Sequence, residues 1–136
     1  MAGDIKVRKN WLKGMYIYTI VAAGLGGLGM LVAPELFKSL YAWPATEPVL
    51  LGIVGSVYLT FGILSVFGLR DPLKFSPVLL MQLFYKSIWL IGVLAPLVIA
   101  GKFPMYALGF IIMFATFIIG DLIAIPFGYL FTKTTK

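Results

Sequence analysis

Two residues of opposite charge, Lys86 and Asp121, stand inside long apolar runs where almost nothing else can ionise. Lys86 has polar company within the stretch 81–89: Gln82 lies one helical turn before it, and Tyr85 and Ser87 flank it. Five side chains therefore form a candidate polar cluster: Gln82, Tyr85, Lys86, Ser87 and Asp121. In an apolar setting such groups can fix the register of two helices, hold the polar end of a lipid or another amphipathic ligand, or pass protons. A Schiff-base lysine with an aspartate counter-ion uses the same two residue types, but a chain this short makes a small enclosure for retinal. Other chemistries are excluded by composition. There is no cysteine and no histidine, which removes thiolate catalysis, disulfide exchange, zinc sites and imidazole proton transfer. Only five acidic residues are present, too few for a carboxylate-bridged metal pair. No metal, no cofactor and no catalytic residue is expected.

The elements that must position this cluster are membrane helices. The 136-residue chain is 61% hydrophobic and 12% charged, whereas a soluble domain is about half apolar and a quarter charged. The sequence predicts an all-α integral membrane protein, an antiparallel bundle of four transmembrane helices in a single domain covering residues 1–136. The spans are expected at about 15–33, 49–69, 78–100 and 105–130, with a short helix in the membrane plane at about 35–43. Tyr41 and Trp43 would anchor that helix at headgroup level, and Pro44 would end it. Ser76-Pro77 reads as a helix start with serine as the cap, and Pro96 and Pro126 as kinks within spans 3 and 4. Each half also carries a short related string, Leu31-Val32-Ala33-Pro34 and Val93-Leu94-Ala95-Pro96, as a duplicated two-helix unit would.

Within this frame Lys86 lies about eight residues into span 3, and Asp121 about eight or nine from the end of span 4, so both sit roughly 12 Å deep at ~1.5 Å per residue. Consecutive helices usually touch. An unpaired charge at a helix centre costs about 2.5–3.5 kcal/mol on insertion scales, so a Lys86–Asp121 contact is predicted. The competing arrangement lets Lys86 snorkel to the headgroups, but the shorter Asp121 cannot follow it.

Gly24-Leu25-Gly26-Gly27-Leu28-Gly29 matches a dinucleotide fingerprint in letters only, because mid-helix amides are not free to hold a pyrophosphate. Close helix packing is the better reading, through Ala22 with Gly26 and Ala23 with Gly27. Similar rows are Gly52, Gly55, Ser56 and Gly62 in span 2, and Thr116 with Gly120 in span 4.

Cations mark the threading. Lys6, Arg8, Lys9, Lys13, Arg70 and Lys74 fall on the side of both termini, with Lys133 and Lys136. The opposite side receives Lys38 and Lys102, offset by Glu35 and Glu47. Both termini are therefore expected in the cytoplasm, with the first six cations contacting anionic lipid headgroups. They are scattered over separate segments, so no nucleic-acid partner is expected.

In size, threading and glycine-rich paired spans the chain resembles the small four-helix DoxX-like bacterial membrane proteins, which implies a bacterial inner-membrane location. Through Arg70-Asp71-Pro72-Leu73 and Phe84-Tyr85-Lys86-Ser87 it is also similar to the emopamil-binding (EXPERA) family. The intramembrane acidic residue expected there is replaced by Gly92, so that resemblance carries over no catalytic residue. Two functions follow as expectations. The first is a non-catalytic subunit or scaffold, packing its small-residue faces on other membrane proteins or on a second copy. The alternative is a binder, carrier or modifying enzyme for an amphipathic lipid or isoprenoid, with the polar cluster at its head.

Overall fold

The computed structural model describes residues 7–41 and 48–133. The expectations for Lys6, Trp43 and Pro44 fall outside the described residues, as does the side chain of Tyr41. Every regular element among the described residues is helical. Four helices are long and apolar enough to cross a membrane: α1 (Lys9–Val32), α3 (Pro48–Arg70), α4 (Ser76–Ile99) and α5 (Met105–Ala124). Between α1 and α3 lies α2 (Pro34–Tyr41), and α6 (Phe127–Phe131) follows α5.

Helix ends depart from expectation for local reasons. The first span starts earlier than residue 15, because Leu12, Met15, Tyr16 and Thr19 form one buried stripe at helical spacing, while Lys9 and Lys13 stay exposed. Ser76 does not cap an amide. Its hydroxyl donates to the Leu73 carbonyl at 2.7 Å, and Phe75 takes the cap position ahead of Pro77. Pro126 does more than kink the fourth span. It has no N–H to offer the preceding turn, and α5 stops at Ala124. The Ile123 carbonyl left over there accepts from the Arg8 guanidinium at 2.7 Å, tying the start of the chain to the end of α5.

Helices α1 and α4 each widen for one turn, at Ile20–Gly24 and Leu90–Leu94. In α1 the turn follows Thr19, whose hydroxyl donates back to the Met15 carbonyl at 2.7 Å and competes with the backbone ladder. In α4 it precedes Pro96, whose ring displaces the carbonyl one turn earlier. The related strings thus serve different ends: Pro34 opens α2, whereas Pro96 lies inside α4. At the α4–α5 turn Gly101 takes φ 75°, a left-handed conformation that favours glycine.

The tightest contact is between α1 and α3. Gly24 and Gly62 meet backbone to backbone, so that a Cβ added to Gly62 would lie 2.5 Å from the Gly24 Cα. One added to Gly27 would lie 2.6 Å from the Gly55 carbonyl oxygen, and the Tyr16 ring covers Gly68. Later residues of α1 meet earlier residues of α3. The Tyr16 hydroxyl closes this end by donating to the Pro72 carbonyl at 2.6 Å. Helices α1 and α5 meet through the first half of α1, where Met15 packs on Gly120 and Tyr18 stacks on Phe117 at 3.9 Å. Beyond Thr19, α1 leans on α3, and large side chains take over the interior: Met30, Phe37, Tyr58, Tyr85, Trp89, Phe110 and Phe114.

Candidate functional site

The buried stripes of three helices converge on the polar cluster. On α4 the stripe reads Leu79, Gln82, Leu83, Lys86; on α5 it reads Phe110, Phe114, Phe117, Asp121, Ala124; and α1 contributes Thr19. Helical spacing alone places the polar members in line with their apolar neighbours. Gln82 and Asp121 are 0% exposed and Lys86 is 1% exposed, so Lys86 does not snorkel out of the bundle.

Lys86 Nζ donates to Gln82 Oε1 at 2.8 Å, Gln82 Nε2 donates to Thr19 Oγ1 at 3.1 Å, and Thr19 donates to the Met15 carbonyl. The direction is set at both ends. An ammonium can only donate, and the single threonine proton is already spent on Met15, so the amide must present its oxygen to Lys86 and its nitrogen to Thr19. The ammonium also rests 3.8 Å from the Phe117 ring centroid, with Tyr85 at 4.9 Å and Phe114 at 5.3 Å. Tyr18 stacks on Phe117 and leaves the other ring face to the cation. Desolvated cation–ring contacts of this type are worth about 2 kcal/mol.

The predicted close contact between Lys86 and Asp121 is absent. They are near enough for each to act on the other's charge, but no nitrogen–oxygen pair lies within 4.0 Å. Neither carboxyl oxygen of Asp121 has a hydrogen-bond partner. Lys86 turns instead toward Gln82 and the aromatic rings, because Phe117 sits one turn before Asp121 and presents its face to the ammonium. Ser87 is half-buried and takes no part in the Gln82–Thr19 chain. The Tyr85 hydroxyl is buried beside Tyr58, with its ring between Phe61 and Phe114.

A narrow cleft leads to Lys86. Its empty space is ≈ 310 Å³ counted out to the open mouth. All four long helices and Phe37 of α2 line it. The α1 wall is small, formed by Ala22, Ala23 and Gly26, whereas the α4 and α5 walls are Tyr85, Phe110, Met113, Phe114 and Phe117. Ala22, Gly26 and Met113 are half-buried on the side where α1 and α5 part, and Tyr58 and Tyr85 are half-buried on the α3 and α4 side.

Ala22, Ala23 and Gly26, expected at a helix-packing face, line this cleft as well; Ala23 is buried, and nothing lies within 4 Å of a Cβ on Gly26. Gly27, Gly55, Gly62 and Gly120 lie in close contact with other parts of the chain. Gly52 has open space around it, and Ser56 is exposed. Thr116 joins α5 to α1: it donates to the Met113 carbonyl at 2.7 Å and accepts from the Tyr18 hydroxyl at 2.7 Å. Arg8, Lys9, Lys13, Arg70 and Lys74 are all exposed. Thr19, Tyr58, Phe114 and Phe117 were missed. Only Thr19 left a trace, as a polar residue on an otherwise apolar stripe.

No protein-family model, curated protein or solved structure matches this chain.

Proposed function

We propose that this protein binds or carries an amphipathic lipid or isoprenoid, with the ligand's polar end meeting Lys86 and its apolar body against the aromatic walls of the cleft. The observation that carries this reading is the position of the ammonium. Lys86 is buried, yet it lines a cleft bounded by small residues on one side and rings on the other, whereas a purely structural lysine would border no open space. The ammonium has three hydrogens and the hydrogen bond to Gln82 occupies one, so donors remain for a ligand.

The chain is, on this proposal, a bacterial inner-membrane protein of DoxX-like architecture with antiparallel spans. Opposite-order contacts such as Tyr16–Gly68 and Gly27–Gly55 support that arrangement, as does the exposed row of cations at Arg8, Lys9, Lys13, Arg70 and Lys74, which favours cytoplasmic termini. The scaffold reading drew on glycine rows beyond the needs of one bundle. Much of that surplus is used between α1 and α3, which weakens it; the open Gly52 and the exposed Ser56 and Thr60 on α3 keep a protein partner or second copy as the second reading. Native mass spectrometry from the host membrane separates the two. A stoichiometric lipid that disappears in Lys86→Met supports the binder. A co-purifying protein with no bound lipid supports the scaffold, and ligand retention unchanged in both Lys86→Met and Asp121→Asn refutes the binder.

A further inference from the structure

The charge balance of the buried centre selects the chemical class of the ligand, on the premise that the cleft is a binding site. Among the described residues Lys86 and Asp121 are the two buried side chains that can carry charge. Each acts on the other, and the remaining described charged groups lie outside the core. An apolar interior resists a lone charge, so the stable forms of the pair are those that sum to zero. That holds whether the proton rests on nitrogen as an ion pair or on the carboxyl as a neutral pair. An incoming carboxylate or phosphate would find no spare positive charge and would leave the buried centre with a net negative one.

Space points the same way. In this structure the cleft has room for about one water molecule. A small uncharged tip therefore asks less displacement of the Phe114 and Phe117 rings than a phosphate head does. The unfilled donors on the lining are the remaining ammonium hydrogens.

We therefore infer that the cleft takes an uncharged amphiphile whose tip is a hydrogen-bond acceptor, such as a carbonyl or ester oxygen on an aliphatic or prenyl body. The oxygen sits on Lys86 Nζ, and the body runs between Gly26 and Met113 toward the bilayer.

Three probes with one tail test this: methyl farnesoate (uncharged), farnesoate (anionic) and farnesylamine (cationic). Affinities are measured by thermal unfolding of the full chain in nanodiscs and by retention in native mass spectrometry. The ester is expected to bind at least about tenfold more tightly than either charged analogue. In Asp121→Asn the order of ester and acid reverses, because Lys86 then carries an uncompensated charge. Gly26→Leu, at a position with room for a side chain, blocks the mouth and abolishes ester binding with the unliganded melting temperature retained.

Comparison of the probes on the unmutated chain needs no variant to fold. If farnesoate binds as tightly as the ester or more so, and Gly26→Leu removes it, the neutral-ligand inference is overturned while the binder reading stands. If no probe binds, or binding survives Gly26→Leu unchanged, the binder reading itself falls and this inference with it.

Discussion

Replacing Lys86 with methionine, Asp121 with asparagine, and then both, tests whether the buried centre is one energetic unit. Methionine matches the length of the lysine stem but leaves Gln82 Oε1 without its donor and the Phe117 face without its cation. The lost charged hydrogen bond is worth about 1.5–3 kcal/mol and the ring contact about 2 kcal/mol. Asp121 is then buried without a compensating charge. Because it has no hydrogen bond to lose, Asp121→Asn removes mainly the attraction to Lys86. At an effective dielectric near 20 two unit charges 4 Å apart attract by about 4 kcal/mol, and these two stand farther apart than that, so the attraction is smaller. Hydrogen bonds in membrane proteins average smaller values than these, because the unfolded chain in a micelle finds other partners. We expect Lys86→Met to cost about 3–4 kcal/mol and Asp121→Asn about 2 kcal/mol, with the double variant costing less than Lys86→Met alone. Reversible unfolding in mixed detergent and lipid micelles, followed by circular dichroism at a fixed protein concentration, reads all four corners of the cycle. Costs that add to within about 0.5 kcal/mol would mean that the two groups do not sense each other, and the charge-balance argument would fail.

Three further outcomes are expected. Gly62→Ala drives a methyl into the Gly24 backbone and should cost more than about 2 kcal/mol, whereas Gly29→Ala, which meets nothing within 4 Å, should be neutral or mildly stabilising in the same unfolding assay. Thr19→Val removes the acceptor of Gln82 Nε2 and should cost about 1–2 kcal/mol; if it does not, the chain of donors from Lys86 to Met15 has no energetic role. The native chain lacks cysteine, so single cysteines at Gly3, Lys102 and Thr134 can be labelled with a membrane-impermeant maleimide in right-side-out and inverted vesicles. Gly3→Cys and Thr134→Cys should react from one side and Lys102→Cys from the other, and any other pattern refutes the proposed threading.

Much of the fold was legible because membrane helices announce themselves by length and apolar content, a one-dimensional signal. The four predicted spans overlap α1, α3, α4 and α5. Their ends were less legible, since they depend on contacts from elsewhere in the chain. Leu12 extends α1 because its face of the helix is buried, and Ser76 turned its hydroxyl to Leu73 rather than to an amide. Lys86, Gln82 and Asp121 stand out in the sequence because a polar residue in an apolar run is costly wherever the run goes, and all three are buried.

By itself the sequence determined which residues are apolar enough to enter a bilayer, which few are not, and where the chain must turn. Those properties depend on each residue's own transfer free energy and on local backbone restrictions. Partnership was decided in three dimensions. Whether Lys86 meets Asp121, Gln82 or a ring depends on helix rotation and separation to within an ångström, and these follow from the Gly24–Gly62 crossing, the widened turns after Thr19 and Trp89, and the bulk of Phe117. The same geometry parts α1 from α5 beyond Thr19 and opens the cleft, because glycines draw α1 toward α3 while aromatic side chains keep the other helices at a distance.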